Sequence, residues 1–201
     1  AEGIDLTPEL ISRAIENSKI MGLKAKFVEG DAEFLPYKEN EFDVILSQYG
    51  HMFAPRPAVV VKELARVLKP GGILAFSTWP KELFMGKFFK LIESFSQPLP
   101  PEVASSVLWG DMAIIEDRLK DHFDHIEFGR DTMFAPTMSP AHMLKLFEKN
   151  AGPLANLVKA LADDPTKLSN LRNAALVLIE KFFSNNFLRQ DFLMTRCVKK
   201  T

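Results

Sequence analysis

The chain has 201 residues with 25 basic against 26 acidic side chains. That suits one domain, or one domain with an insertion, and leaves no field strong enough to gather nucleic acid or an anionic membrane. Cys197 is the only cysteine, which excludes an internal disulfide and a multi-cysteine metal site and suits a reducing, cytoplasmic setting. The first eighty residues alternate between strand and helix. Glu2 to Asp5 reads as a short strand ending in an acid, and Thr7-Pro8 as an N-cap and first helical residue, with Gly22 closing the helix. A strand over 25–30 runs into Gly30-Asp31-Ala32. A polar loop over 33–41 precedes a buried strand, Phe42 to Ser47. The periodicity of Val60, Val61, Leu64, Ala65 and Leu68 predicts a helix over 57–68; Lys69-Pro70-Gly71-Gly72 stops it and turns the chain into a strand over 73–79.

Past Trp79 the composition changes. A helix over 83–95 carries Phe84, Phe88, Phe89 and Phe95 around much of its circumference, and Pro98-Leu-Pro-Pro101 breaks it. Asp111 caps a helix running to His122, and a strand is expected over 126–132. Ser139-Pro140 opens three helical segments, divided at Gly152-Pro153 and Asp164-Pro165 and ending near Asn185-Asn186. A last strand covers about 191–198. The expected fold is α/β: a doubly wound, mostly parallel sheet with a helical insertion forming a cap before the final strand. Residues 1–138 would be the core, with the aromatic helix at 83–97; residues 139–186 the cap; and 187–201 the returning strand.

In a parallel sheet the carboxyl ends of the strands share one edge, where ligands bind. Asp5, Asp31 and the segment Ser47-Gln48-Tyr49-Gly50-His51 all fall there. Asp5 is placed to accept from two ribose hydroxyls. Asp31 suits an exocyclic adenine amine, with the Ala32 N–H directed at the neighbouring ring nitrogen. The plainer reading is that such acids only cap helices and loops. Tyr49 and His51 are candidates for contact with a reacting partner, His51 as base if its pKa is near neutral, or as a loop histidine with no such duty. His122, His125 and His142 lack metal-ligand spacing and read as structural or exposed; no metal site is expected.

Four segments carry a resemblance in order and at matching spacing: Gly3-Ile-Asp-Leu-Thr-Pro-Glu-Leu10, Glu29-Gly-Asp-Ala-Glu-Phe-Leu-Pro36, Phe42-Asp-Val-Ile-Leu-Ser47 and Arg66-Val-Leu-Lys-Pro-Gly-Gly72. They resemble successive motifs of the class I S-adenosylmethionine-dependent methyltransferases, above all the small-molecule branch with the ubiquinone and menaquinone C-methyltransferases. Met52-Phe-Ala-Pro55, Ser77-Thr-Trp79 and Leu108-Trp-Gly110 extend the likeness. It implies an S-adenosylmethionine cofactor, with Asp5 on the ribose, Leu6 on the adenine face, Asp31 and Ala32 on the adenine edge, and Ser47 and Gln48 beside the methionine moiety. The family's glycine-rich turn has no counterpart here. The expectation is an N-terminal segment of roughly 30 residues or more beyond those given, since a sheet without its central strand would expose two open edges.

The implied reaction is C- or O-methylation of a small, apolar acceptor, with no nucleic acid and no stable membrane insertion. The aromatic residues past position 80 would either line the acceptor site, with Phe84, Phe88 and Trp109 the residues to test, or simply fill the insertion's core. Two other functions remain open. A dinucleotide-dependent oxidoreductase also places an acid after its second strand, though Asp31-Ala32 followed by Arg66-Val-Leu-Lys-Pro-Gly-Gly72 suits it poorly. A non-catalytic binding or regulatory relative is separated by whether a glycine-rich turn precedes these residues.

Overall fold

The computed structural model describes residues 1–101 and 103–201. In chain order the elements are β1 (Glu2–Asp5), α1 (Pro8–Ile20), β2 (Lys26–Glu29), β3 (Phe42–Gln48), α2 (Pro57–Val67), β4 (Leu68–Thr78) and α3 (Phe84–Phe95). They continue through α4 (Met112–Leu119), β5 (Phe123–Pro136), α5 (Pro140–Asn150), α6 (Gly152–Ala160), α7 (Pro165–Glu180), β6 (Phe183–Ser184) and β7 (Phe187–Lys199). The expected α/β architecture is present, with a mixed sheet. β1 and β2 form a parallel pair with Asp5 opposite Glu29. The other strands form a second sheet in the order β3-β4-β7-β5, with β6 paired to β7.

Local chemistry explains most boundaries. Helix α1 closes with Gly22 at φ +65°, while the Leu23 N–H reaches Ser18 O at 2.9 Å, a left-handed C-terminal cap. Its N-terminus differs from expectation: the Thr7 side chain makes no cap, and the Thr7 N–H donates instead to Asp5 Oδ1 at 2.8 Å. The apolar face of α2 is buried through Val60, Val61, Leu64 and Ala65. Strand β4 follows that helix directly, turning through Gly71 at φ +73°.

Three expectations are corrected. Strand β3 is not buried: Val44 is 50% and Leu46 76% exposed. Its apolar run reads as a strand covered on both faces, but Val44 and Leu46 share one face and that face is exposed. Strand β5 is longer than the expected 126–132: it runs on at both ends, through Phe123, Asp124 and His125 and through Met133, Phe134, Ala135 and Pro136. Asn185 and Asn186 do not end a helix. At φ 49° and 62° they form the two-residue turn of the β6–β7 hairpin, with Ser184 opposite Phe187.

The chain divides into two compact units: residues 1–76, 116–127 and 195–201, and residues 77–115 and 128–194. The core of the first is built from Val60, Leu64, Leu68, Leu74, Phe76, Phe123 and Cys197. Cys197 is fully buried, and burial pushes its thiol pKa up to about 12, so it packs as a small apolar group. The second unit is centred on Phe84, Phe88, Leu154, Leu171 and Ile179.

Candidate active site

Asp5 and Asp31 follow two parallel neighbours and adopt the same local conformation. Asp5 Oδ1 accepts the Thr7 N–H at 2.8 Å, and Asp31 Oδ1 accepts the Glu33 N–H at 2.8 Å. Each is an i to i+2 side-chain turn, the habit that makes aspartate favourable where a strand leaves a sheet. Each turn holds a carboxylate by one oxygen and leaves Oδ2 with no hydrogen bond among the described residues. The Ala32 N–H likewise makes none among them. Leu6, next to Asp5, is 64% exposed. Two oriented acceptors, one backbone donor and an exposed apolar side chain are the groups a nucleoside requires, so the residues present fit the adenosyl part of the cofactor.

Beyond β3 the chain is constrained. Tyr49 takes φ 60°, a left-handed conformation that costs energy in a bulky residue. It turns the chain back so that the His51 N–H reaches Ser47 Oγ at 3.3 Å and His51 Nδ1 lies 2.9 Å from the same oxygen. The imidazole is 4% exposed and meets Phe76 edge-on at 4.6 Å between ring centroids. Burial, helped by the positive charge of Arg118, lowers its pKa to about 3. A neutral imidazole of that basicity is a poor proton acceptor at neutral pH, so the expectation of a base tuned near neutrality meets an opposing environment. The geometry instead gives His51 the task of holding Ser47. Gln48 is exposed.

The three aromatic residues singled out for acceptor contact belong to the other unit and are enclosed: Phe84 is 0%, Phe88 1% and Trp109 1% exposed. Phe84 stacks on Phe88 with centroids 5.6 Å apart, Phe88 lies 5.0 Å from Phe147, and Phe182 meets Phe84 at 5.5 Å. Side chains so enclosed have no surface to offer an acceptor, which favours the packing alternative. Gly110 shows how tight this region is: a Cβ there would fall 2.0 Å from Trp79 O.

Two ion pairs escaped the reading from sequence. Glu33, with a side chain 4% exposed, accepts the Arg56 N–H at 2.6 Å and Arg56 Nε at 2.7 Å. Glu63 accepts the Leu35 N–H at 2.9 Å and pairs with Arg66, whose guanidinium donates to Leu35 O at 2.9 Å and Tyr37 O at 2.7 Å. The hydrogen bond to Arg66 is the main cause holding the Glu63 carboxyl below its ordinary range. Glu33 and Arg66 both sit inside resemblance-bearing segments, but a charged residue in a polar loop gives no sign that it will be buried. Among the described residues, no cluster of three or more histidine, cysteine, aspartate or glutamate side chains is placed to hold a metal, and no helix is long and apolar enough to cross a membrane.

The methyltransferase domain family matches residues 1–76. An uncharacterised protein of Mycobacterium tuberculosis is 31% identical over 191 residues, covering 94% of this chain and 70% of that protein. The 2-methyl-6-phytyl-1,4-hydroquinone methyltransferase of Synechocystis is 40% identical over 77 residues, 38% of this chain and 24% of that enzyme. In fold, the chain is similar to phosphoethanolamine N-methyltransferase 2 of Haemonchus contortus, solved with S-adenosyl-L-methionine. The TM-score is 0.56 at 16% identity, over 100% of this chain and 43% of that one. The chain belongs to the class I S-adenosylmethionine-dependent methyltransferases.

Proposed function

We propose that the protein transfers the methyl group of S-adenosylmethionine to carbon or oxygen of a small, apolar acceptor. The observation that carries the cofactor half is the pair of strand-end aspartates, each locked by one oxygen and open at the other. Kinship with an enzyme named for a phytyl hydroquinone supports the acceptor half. The cofactor supplies an electrophilic methyl on a sulfonium centre. In this reading Asp5 holds the ribose, Leu6 covers the adenine face, and Asp31 with Ala32 takes the adenine edge. Ser47, held by His51, and Gln48 border the methionine part. Tyr49, half-buried at the left-handed turn that follows β3, is the residue proposed to meet the acceptor. The transfer is an in-line displacement, so fixed donor and acceptor geometry supplies much of the acceleration.

The test is transfer of radiolabelled methyl from S-adenosylmethionine, catalysed by the full-length protein. Substituted hydroquinones and phenols would be compared with small polar amines. Labelled phenolic product with no labelled amine supports the proposal. Label in the amine alone assigns another acceptor class.

A further inference from the structure

The loop after β2 buries one charge although much of the loop is exposed. Asp31, Phe34, Pro36 and Lys38 are exposed, yet the Glu33 carboxylate between them is enclosed. Burying a carboxylate is unfavourable unless hydrogen bonds replace its water. Here Arg56 supplies them, from its backbone N–H at the entrance to α2 and from its guanidinium. The Glu33 N–H in turn donates to Asp31 Oδ1. A chain of direct hydrogen bonds therefore runs from the start of α2, through Glu33, to the carboxylate that faces the cofactor in the proposed site. The Glu63–Arg66 pair pins the far half of the same loop, at Leu35 and Tyr37.

We propose that Glu33 and Arg56 are positioning residues that set the Asp31 carboxylate and the Ala32 N–H, and thereby make the site selective for a 6-aminopurine. The inference rests on Asp31 and Ala32 reading the adenine edge, as argued above. Ala32 lies between two residues whose positions the tie fixes. An acceptor from Asp31 beside a donor from Ala32 matches an amine next to a bare ring nitrogen. A 6-oxopurine presents the reverse pattern: its oxygen meets the carboxylate and its ring N–H meets the backbone N–H. Both mismatches are repulsive only while the turn is held. A looser turn would rotate away and accept either base, so the tie supplies selectivity as well as order.

The experiment is calorimetric titration of S-adenosylhomocysteine and its 6-oxo analogue, S-inosylhomocysteine, into the full-length protein, with thermal unfolding recorded for every variant. The wild type is expected to prefer the amino ligand by about tenfold or more. Asp31→Ala should abolish that preference, while Glu33→Gln and Arg56→Ala bring the two ligands toward parity. Glu63→Gln should keep the preference even if its unfolding temperature falls, because its tie ends at Leu35. Arg56 is exposed, so Arg56→Ala carries the test if Glu33→Gln does not fold. Equal weakening of both ligands in Glu33→Gln and Arg56→Ala, with the wild-type ratio kept, overturns the proposal by leaving these residues a purely structural role. A wild type without preference, or an Asp31→Ala variant that keeps it, overturns the adenine-edge reading itself and this inference with it.

Discussion

Asp5, half-buried, and Asp31, exposed, stand at the ends of two short strands in one compact unit, whereas Phe84, Phe88 and Trp109, in the other, are at most 1% exposed. Both groups have residue types found in binding sites. The acids keep an acceptor oxygen available because an i to i+2 turn satisfies only half of each carboxylate. The phenylalanines keep nothing available, because α3, α5 and Phe182, just past α7, place them face to face and edge to face. Polar side chains at a strand end remain accessible by local geometry, while large apolar side chains on helices are consumed by any helix that packs on them. Where both kinds occur, the acids are the better markers of a ligand.

The comparison would break most visibly at Phe84. Phe84→Ala should destabilise the protein by about 3–5 kcal/mol in denaturant unfolding, while the folded fraction binds S-adenosylhomocysteine with unchanged affinity. Weaker binding with little loss of stability would instead return that aromatic residue to the site. Asp5→Ala should shift the balance the other way, weakening cofactor binding by about 1–3 kcal/mol in calorimetry while loss of its bond to the Thr7 N–H costs the fold only about 1 kcal/mol. Unchanged affinity in a folded variant would remove its ribose role.

His51 sharpens the comparison, since it lies in the same unit as the two aspartates yet is buried like a core residue. Its folded pKa, lowered to about 3, lies below the unfolded value near 6.5. The unfolded chain therefore takes up the proton first, and stability is full above the unfolded pKa and falls as pH drops from about 6.5 toward 3. Unfolding at pH 5.5 should show a loss of about 1.4 kcal/mol relative to pH 8, which His51→Leu would flatten. A variant with the same pH slope would show that the imbalance lies elsewhere. The smallest expected effect is Asp164→Ala. Its Oδ1 caps α7 by accepting the Lys167 N–H at 2.8 Å, so about 1 kcal/mol should be lost in thermal unfolding with no change in ligand affinity.

The order of most strands and helices, the cap at Gly22, the break at Asp164-Pro165 and the two aspartates at strand ends were readable along the chain. Each depends on residues within a few positions: an apolar period, a glycine able to take positive φ, a carboxylate two residues before an N–H. The asparagine hairpin carries equally local signals, but a helical reading of the preceding segment ran over them. Burial is different in kind. Glu33 is enclosed with hydrogen bonds from Arg56, 23 residues on, and the His51 pKa is lowered by burial beside Phe76 and by the charge of Arg118. Val44 and Leu46 have the composition of an interior strand, yet the folded arrangement leaves the face they share exposed. Hydrophobic period and turn chemistry are carried by neighbours in sequence. Solvation, pKa and access depend on partners brought from elsewhere, which the folded arrangement alone decides.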